Sequence, residues 1–130
     1  MGGSPLLIVL VLNLHFQLKR KTHFNLMKHL IGLLEDCEIK TIQKLDEYMT
    51  LVAKVCNFTV VSQAFHQFEP FGATGVLVLA ESHFSAHTYP EHRKVYLDVF
   101  CCADDFDPKN CAEIIERIFG GKLSWQVVLR

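Results

Sequence analysis

Apolar positions recur along the chain at two spacings, and each change of spacing marks a new element. A short apolar stretch, His29 to Leu34, reads as a strand that ends at the polar Glu35-Asp36-Cys37-Glu38 turn. Ile42, Leu45, Met49, Val52 and Cys56 then fall three or four residues apart, with Gln43, Lys44, Asp46, Glu47 and Lys54 between them, which predicts a helix with one buried face. Phe58 to Phe68 is rich in β-branched and aromatic residues, and the Pro and Gly of "EPFGATG" end it, so two strands joined by a loop are expected. Thr74 to Ala80 is a continuous apolar run, as in a central strand covered on at least one face.

Beyond Ser82 the pattern alternates. His83, Ser85, His87 and Tyr89 fall on one side, Phe84, Ala86 and Thr88 on the other. Pro90 closes that strand, Lys94 to Cys102 forms another, and "ADDFDP" breaks it. Asp107 is placed as a helix N-cap with Pro108 at the first helical position, followed by a stripe of Cys111, Ile114, Ile115 and Ile118 and a Gly120-Gly121 stop. Leu123 to Leu129 reads as a final strand. The order is strand, helix, three or four strands, helix, strand. That predicts an α+β two-layer sandwich, with helices on one face of a mostly antiparallel sheet.

Composition narrows the function classes. At 130 residues, half of them apolar, the chain suits one core. Thirteen basic against fourteen acidic side chains leave a net charge of -1, and Lys19-Arg20-Lys21 is the longest basic run, so nucleic acid is not expected as a partner. Five cysteines without a CxxC pair read as free thiols in a reducing cytoplasm. "PLLIVLVL" (Pro5 to Leu12) is too short to span a bilayer and lacks the flanks of an export signal, so no membrane is expected. Residues 1–22 are read as an N-terminal extension and 23–130 as the domain.

The familiar catalytic patterns are missing around the polar cluster. Ser82 has no GxSxG elbow and no glycine-rich oxyanion loop, which sets a hydrolase triad aside. His83, His87 and His92, with Glu91 and Asp98, are candidate metal ligands, but HxxxHxxxxH on strand and turn matches no metal pattern and none is expected to bind. A serine at the end of a buried strand can instead attack its own preceding carbonyl, because a hydroxyl held within about 3 Å of that carbon gains a very large effective molarity. The resulting ester, on loss of the serine α-proton, expels the upstream chain and leaves dehydroalanine, which hydrolyses to a pyruvoyl group. From residue types alone, a serine in a turn remains the simpler reading.

"GATGVLVLAESHFSAHTYPEH" (Gly72 to His92) and "LDVFCCADDFDP" (Leu97 to Pro108) change that balance. From about Lys28 to Val128 the chain resembles the pyruvoyl-dependent S-adenosylmethionine decarboxylase proenzymes in their short bacterial and archaeal form. The specific features are ESH, then HT-aromatic-PE, then D-hydrophobic-F-x-C. The resemblance implies autocatalytic serinolysis between Glu81 and Ser82, giving a β chain of residues 1–81 and an α chain of residues 82–130. It implies that Ser82 becomes the pyruvoyl group that forms a Schiff base with substrate, with no pyridoxal phosphate. It makes Cys102 the proton donor, His87 and Thr74 the processing residues, Phe68 the ring that stacks on adenine and Glu91 the carboxylate on the ribose. Cys101 is only a packed thiol on this alignment.

The activity so implied is decarboxylation of S-adenosylmethionine for spermidine and other polyamine biosynthesis, in a homodimer whose sheets stack as αββα. Three departures from the family pattern are Tyr89 for the usual Trp, "RKVY" (Arg93 to Tyr96) for a small-residue stretch, and Ala103 for Gly. They keep open a diverged decarboxylase of arginine or ornithine. A non-catalytic partner subunit of the same fold is a third reading, though intact ESH and Cys102 speak against it.

Overall fold

The computed structural model describes residues 26–130, so the expected extension of residues 1–22 lies outside the described residues. Strands β1 (Lys28–Glu35), β2 (Val60–Gln67), β3 (Ala73–Leu79), β4 (Ser82–Tyr89), β5 (Lys94–Cys101) and β6 (Lys122–Leu129) form one sheet in the order β2-β3-β4-β5-β1-β6. Every neighbouring pair is antiparallel. Helices α1 (Ile42–Val55) and α2 (Pro108–Phe119) pack on one face. This is the expected α+β sandwich, with four strands between the helices.

The second helix begins as the sequence predicts, and the first has a cap of the same kind that the sequence reading did not name. The Thr41 hydroxyl accepts from the Lys44 N–H at the start of α1, and the Asp107 carboxylate accepts from the Asn110 N–H at the start of α2, where Pro108 follows. Their buried faces differ slightly from the expected stripes. In α1, Leu45, Met49, Val52 and Ala53 are buried and Cys56 caps the end; in α2, the fully covered residues are Cys111, Ala112, Ile115 and Phe119. Ile114 and Ile118 are only half-buried, because Phe119 comes round to the sheet side and packs on Tyr48 of α1 with ring centroids 5.3 Å apart.

Alternation along the central strands separates two faces. Leu30, Leu34, Leu77, Phe84, Ala86, Val95, Leu97 and Val99 are buried beneath the helices. The apolar run of β3 is covered on that side only: Leu77 is buried, while Val76 is half-buried and Val78 exposed. β2 is an edge strand, so most of it is exposed. A Cβ on Gly75 would lie 2.4 Å from the Phe65 ring carbon that crosses it from β2, which is why a side chain is missing at that point.

The opposite face carries no helix. Across it run cross-strand rows, one of them Thr74, His87, Tyr96, Leu33 and Ser124, the next Val76, Ser85, Asp98, Ile31 and Gln126. Exposed Val78, Tyr96, Ile31 and Val128 make this face mixed rather than polar. Among the described residues no helix is long and apolar enough to cross a membrane.

Candidate active site

The turn Ala80-Glu81 joins β3 to β4, and Leu79 pairs directly with Ser82. A two-residue hairpin turn ordinarily places positive φ within the turn itself. Here that conformation falls instead on Ser82, at φ 141°, where an L-residue is strained by on the order of 1–3 kcal/mol. The turn is tied down on both sides of the Glu81–Ser82 peptide. The Glu81 carbonyl accepts from the Cys102 backbone N–H at 2.8 Å, and the Glu81 carboxylate lies 3.2 and 3.3 Å from the Thr59 N–H. Thr59 in turn accepts the Ala80 N–H at 2.8 Å.

The two adjacent cysteines separate as their strand positions require. Cys101 is buried beneath the helices, opposite Ser82 in register, whereas Cys102 is exposed just past the end of β5. Burial pushes the Cys101 thiol up, which keeps it protonated and inert. A cavity of about 230 Å³ opens beside Glu81, lined among others by Phe58, Cys101, Asp105 and Phe106.

A second polar group lies at the other end of β4. The Thr74 hydroxyl and His87 Nδ1 share a 2.6 Å hydrogen bond between paired residues of β3 and β4. Phe68 stands edge-on to His87 with ring centroids 5.5 Å apart, and His66 packs on Phe68 at 4.7 Å. Glu91 is exposed in the short helical turn Pro90–His92 that follows. Gln67, which the sequence reading missed, fixes the backbone under Phe68: its amide donates to the carbonyls of Lys40 and Gly72 at 2.9 and 2.8 Å and accepts the Ile42 N–H at 2.8 Å. Buried Thr88 adds an acceptor for the Ala73 N–H at 2.9 Å. Neither residue had a sequence signal beyond being polar within a strand.

The predicted site residues therefore form two groups rather than one. Glu81, Ser82 and Cys102 lie at the start of β4; Phe68, Thr74, His87 and Glu91 lie toward its end. Five residues of extended strand separate Ser82 from His87, about 17 Å at roughly 3.4 Å per residue. Of the suggested metal ligands, His83 and Asp98 do meet, at 3.0 Å, while His87 and His92 lie elsewhere: His92 stacks on Tyr89 with centroids 4.7 Å apart.

A strained serine at the head of a central strand, with its preceding carbonyl hydrogen-bonded, sets the β3–β4 turn of this α+β sandwich apart. The family model described as S-adenosylmethionine decarboxylase matches residues 28–130. The chain is 37% identical over 98 residues to the S-adenosylmethionine decarboxylase proenzyme of Thermodesulfovibrio yellowstonii, covering 73% of each chain. It is also 37% identical over 98 residues to that of Pseudomonas aeruginosa, covering 73% of this chain and 61% of the relative. The crystal structure of the adenosylmethionine decarboxylase from Aquifex aeolicus superposes with a TM-score of 0.74 at 32% identity, over 81% of this chain and 90% of that one. The chain belongs to the S-adenosylmethionine decarboxylase family.

Proposed function

We propose that the protein is a self-processing decarboxylase that acts on S-adenosylmethionine and feeds polyamine synthesis, with Ser82 as the source of its pyruvoyl group. The observation that carries the reading is the Glu81–Ser82 peptide itself: strained φ on the serine, and the Cys102 N–H on the carbonyl that the serine would attack. As Ser82 Oγ bonds to the Glu81 carbon, negative charge grows on the carbonyl oxygen, and a donor already at 2.8 Å stabilises it without reorganisation. Breaking the C–N bond gives an ester and relieves the strain on Ser82. Loss of the Ser82 α-proton then releases residues 1–81 with Glu81 as a carboxylate, and hydrolysis of the dehydroalanine left at Ser82 releases ammonia.

These residues fit the group that the family implies. The pyruvoyl carbonyl, once made, supplies the electron sink for loss of substrate CO2. Cys102, exposed at the same end, returns a proton to substrate carbon in this reading. His87 and Thr74, paired at the far end of β4, serve the proton transfers of processing, and Phe68 and Glu91 bind the adenosine moiety. The roughly 17 Å between these groups within one chain is too far for them to act together. A homodimer resolves it: a second copy, stacked antiparallel on the helix-free face, brings its Thr74, His87, Phe68 and Glu91 to the end of β4 at which Ser82 and Cys102 of the first lie. The mixed apolar character of that face supports this packing. The free cysteines agree with a cytoplasmic setting.

The relatives found carry the S-adenosylmethionine name, and the arginine, ornithine and non-catalytic alternatives gain no support from them. Tyr89 is half-exposed and stacked on His92, and Tyr96 faces the open side, so neither departure disturbs the core. Intact-mass measurement after incubation tests the processing: a break before Ser82 is expected, and a permanently uncut chain refutes the reading. Release of CO2 from S-adenosylmethionine, with arginine and ornithine as competitors, tests the substrate.

A further inference from the structure

One cluster on the helix-free face takes no part in the chemistry above. His29 of β1 and His83 of β4 both aim Nε2 at the same oxygen of Asp98 on β5, at 2.7 and 3.0 Å. The three ligand atoms lie within 4.8 Å of one another. The other Asp98 oxygen accepts from the Ser85 hydroxyl. Both imidazoles pack against Phe100, with centroids 5.2 and 5.9 Å from its ring, and the three rings occupy one cross-strand row at the margin of the face.

We propose that His29, His83 and Asp98 bind a divalent ion of the zinc, cobalt or nickel class. Two imidazole nitrogens and one carboxylate oxygen are the donor set that such borderline ions prefer, and three donors leave further coordination positions for water or another ligand. Each donor comes from a different strand of a fully laddered sheet, so little ordering is required on binding. Ser85 orients the carboxylate as a second layer of contacts does around established metal centres, and Phe100 fixes the tilt of both rings. The apo cluster is held together by N–H donors on Asp98; a cation replaces those protons at the same point. Mg2+ and Ca2+ are poor candidates, because the cluster offers one carboxylate and the Arg130 guanidinium lies 5.2 Å from the Phe100 ring centroid.

His83 and Asp98 stand among the candidate ligands read from sequence, but His29 does not, since it lies far upstream of the His-rich strand and joins it only because β1 inserts beside β5. Because His83 directly follows Ser82, an ion here would grip the second residue after the proposed cleavage point.

The test is titration of the chelator-stripped, fully reduced protein with Co2+, followed by visible absorption, and with Zn2+, followed by calorimetry. One ion per chain is expected, with weak or no response to Mg2+. His29→Ala should lower affinity at least about tenfold, and Ser85→Ala by about tenfold. His29→Gln keeps a hydrogen-bonding group beside Asp98 but provides no imidazole, so it should fold and still lose the ion. Absence of saturable binding overturns the proposal. So does binding unchanged in the His29 variants, or intense sulfur-to-cobalt charge transfer, which would place the ion on thiols. The same titration on Ser82→Ala protein, which cannot be cut, separates this result from the decarboxylase reading.

Discussion

The backbone N–H of Cys102 lies 2.8 Å from the carbonyl oxygen of Glu81, so the residue proposed as proton donor through its thiol also presents its amide to the proposed cleavage point. The two roles can be separated by mutation. Cys102→Ala keeps the amide and should leave self-cleavage largely intact while depressing turnover. Cys102→Pro removes the amide hydrogen and should slow cleavage by about 10²–10³-fold, the usual cost of losing one oxyanion donor. Time courses of chain cleavage on gels, with CO2 release on the cleaved material, check both; equal loss of cleavage in the two variants would mean the thiol itself is needed.

Separation of the two residue groups along β4 makes a genetic prediction. Ser82→Ala and His87→Ala chains, each expressed alone, should remain uncut. Expressed together they should form mixed dimers in which the His87→Ala chain supplies Ser82 and the Ser82→Ala chain supplies His87. One site per mixed dimer is then complete, so a fraction of the His87→Ala chain should be cut. Mass spectrometry of the co-expressed protein reads this directly, and no cut chain at all would count against a shared site.

Gln67 ties the start of α1 to the loop that follows β2, through three hydrogen bonds to the backbone besides its contact with Phe68. Gln67→Ala leaves the Ile42 N–H and two carbonyls without those partners and should cost about 2 kcal/mol. Because Phe68 sits on the loosened segment, KM should rise more than kcat falls. Thermal melts and steady-state kinetics on the cleaved enzyme measure the two effects.

Arg93 sits at φ 52°, ψ 45°, a left-handed conformation that a side chain makes unfavourable by about 1 kcal/mol. Its ion pair with Glu38, at 3.6 Å between exposed groups, gives little in return. Arg93→Gly should therefore raise the melting temperature by a few degrees, with activity retained. A lower melting temperature would show that the Glu38 pair outweighs the backbone strain.

The elements could be read before the fold was known. The cap at Asp107 and the alternation from His83 to Tyr89 depend on near neighbours in sequence, and these were legible. The place of β1 between β5 and β6 depends on pairing between distant segments, and no local pattern carries it. For the same reason His29 went unnoticed, and Phe119 displaced Ile118 from the inner face of α2 only because Tyr48 stands opposite. The ESH motif suggests where the chain would be cut, but not how far apart the proposed partners lie. Yet five positions of extended strand, at roughly 3.4 Å each, already keep Ser82 and His87 of one chain apart.

The strand order has one more consequence. Cutting between Glu81 and Ser82 assigns β1, β2 and β3 to one fragment and β4, β5 and β6 to the other, and in the sheet these alternate: β1 lies between β5 and β6. Neither fragment can withdraw as a block without breaking the ladders on both sides of β1. The processed protein is thus an interlaced pair of chains, held together natively by the whole sheet and not by a covalent link. Once denatured, each fragment must find its mate again by collision, a concentration-dependent step in folding the sheet that the single-chain proenzyme does not need.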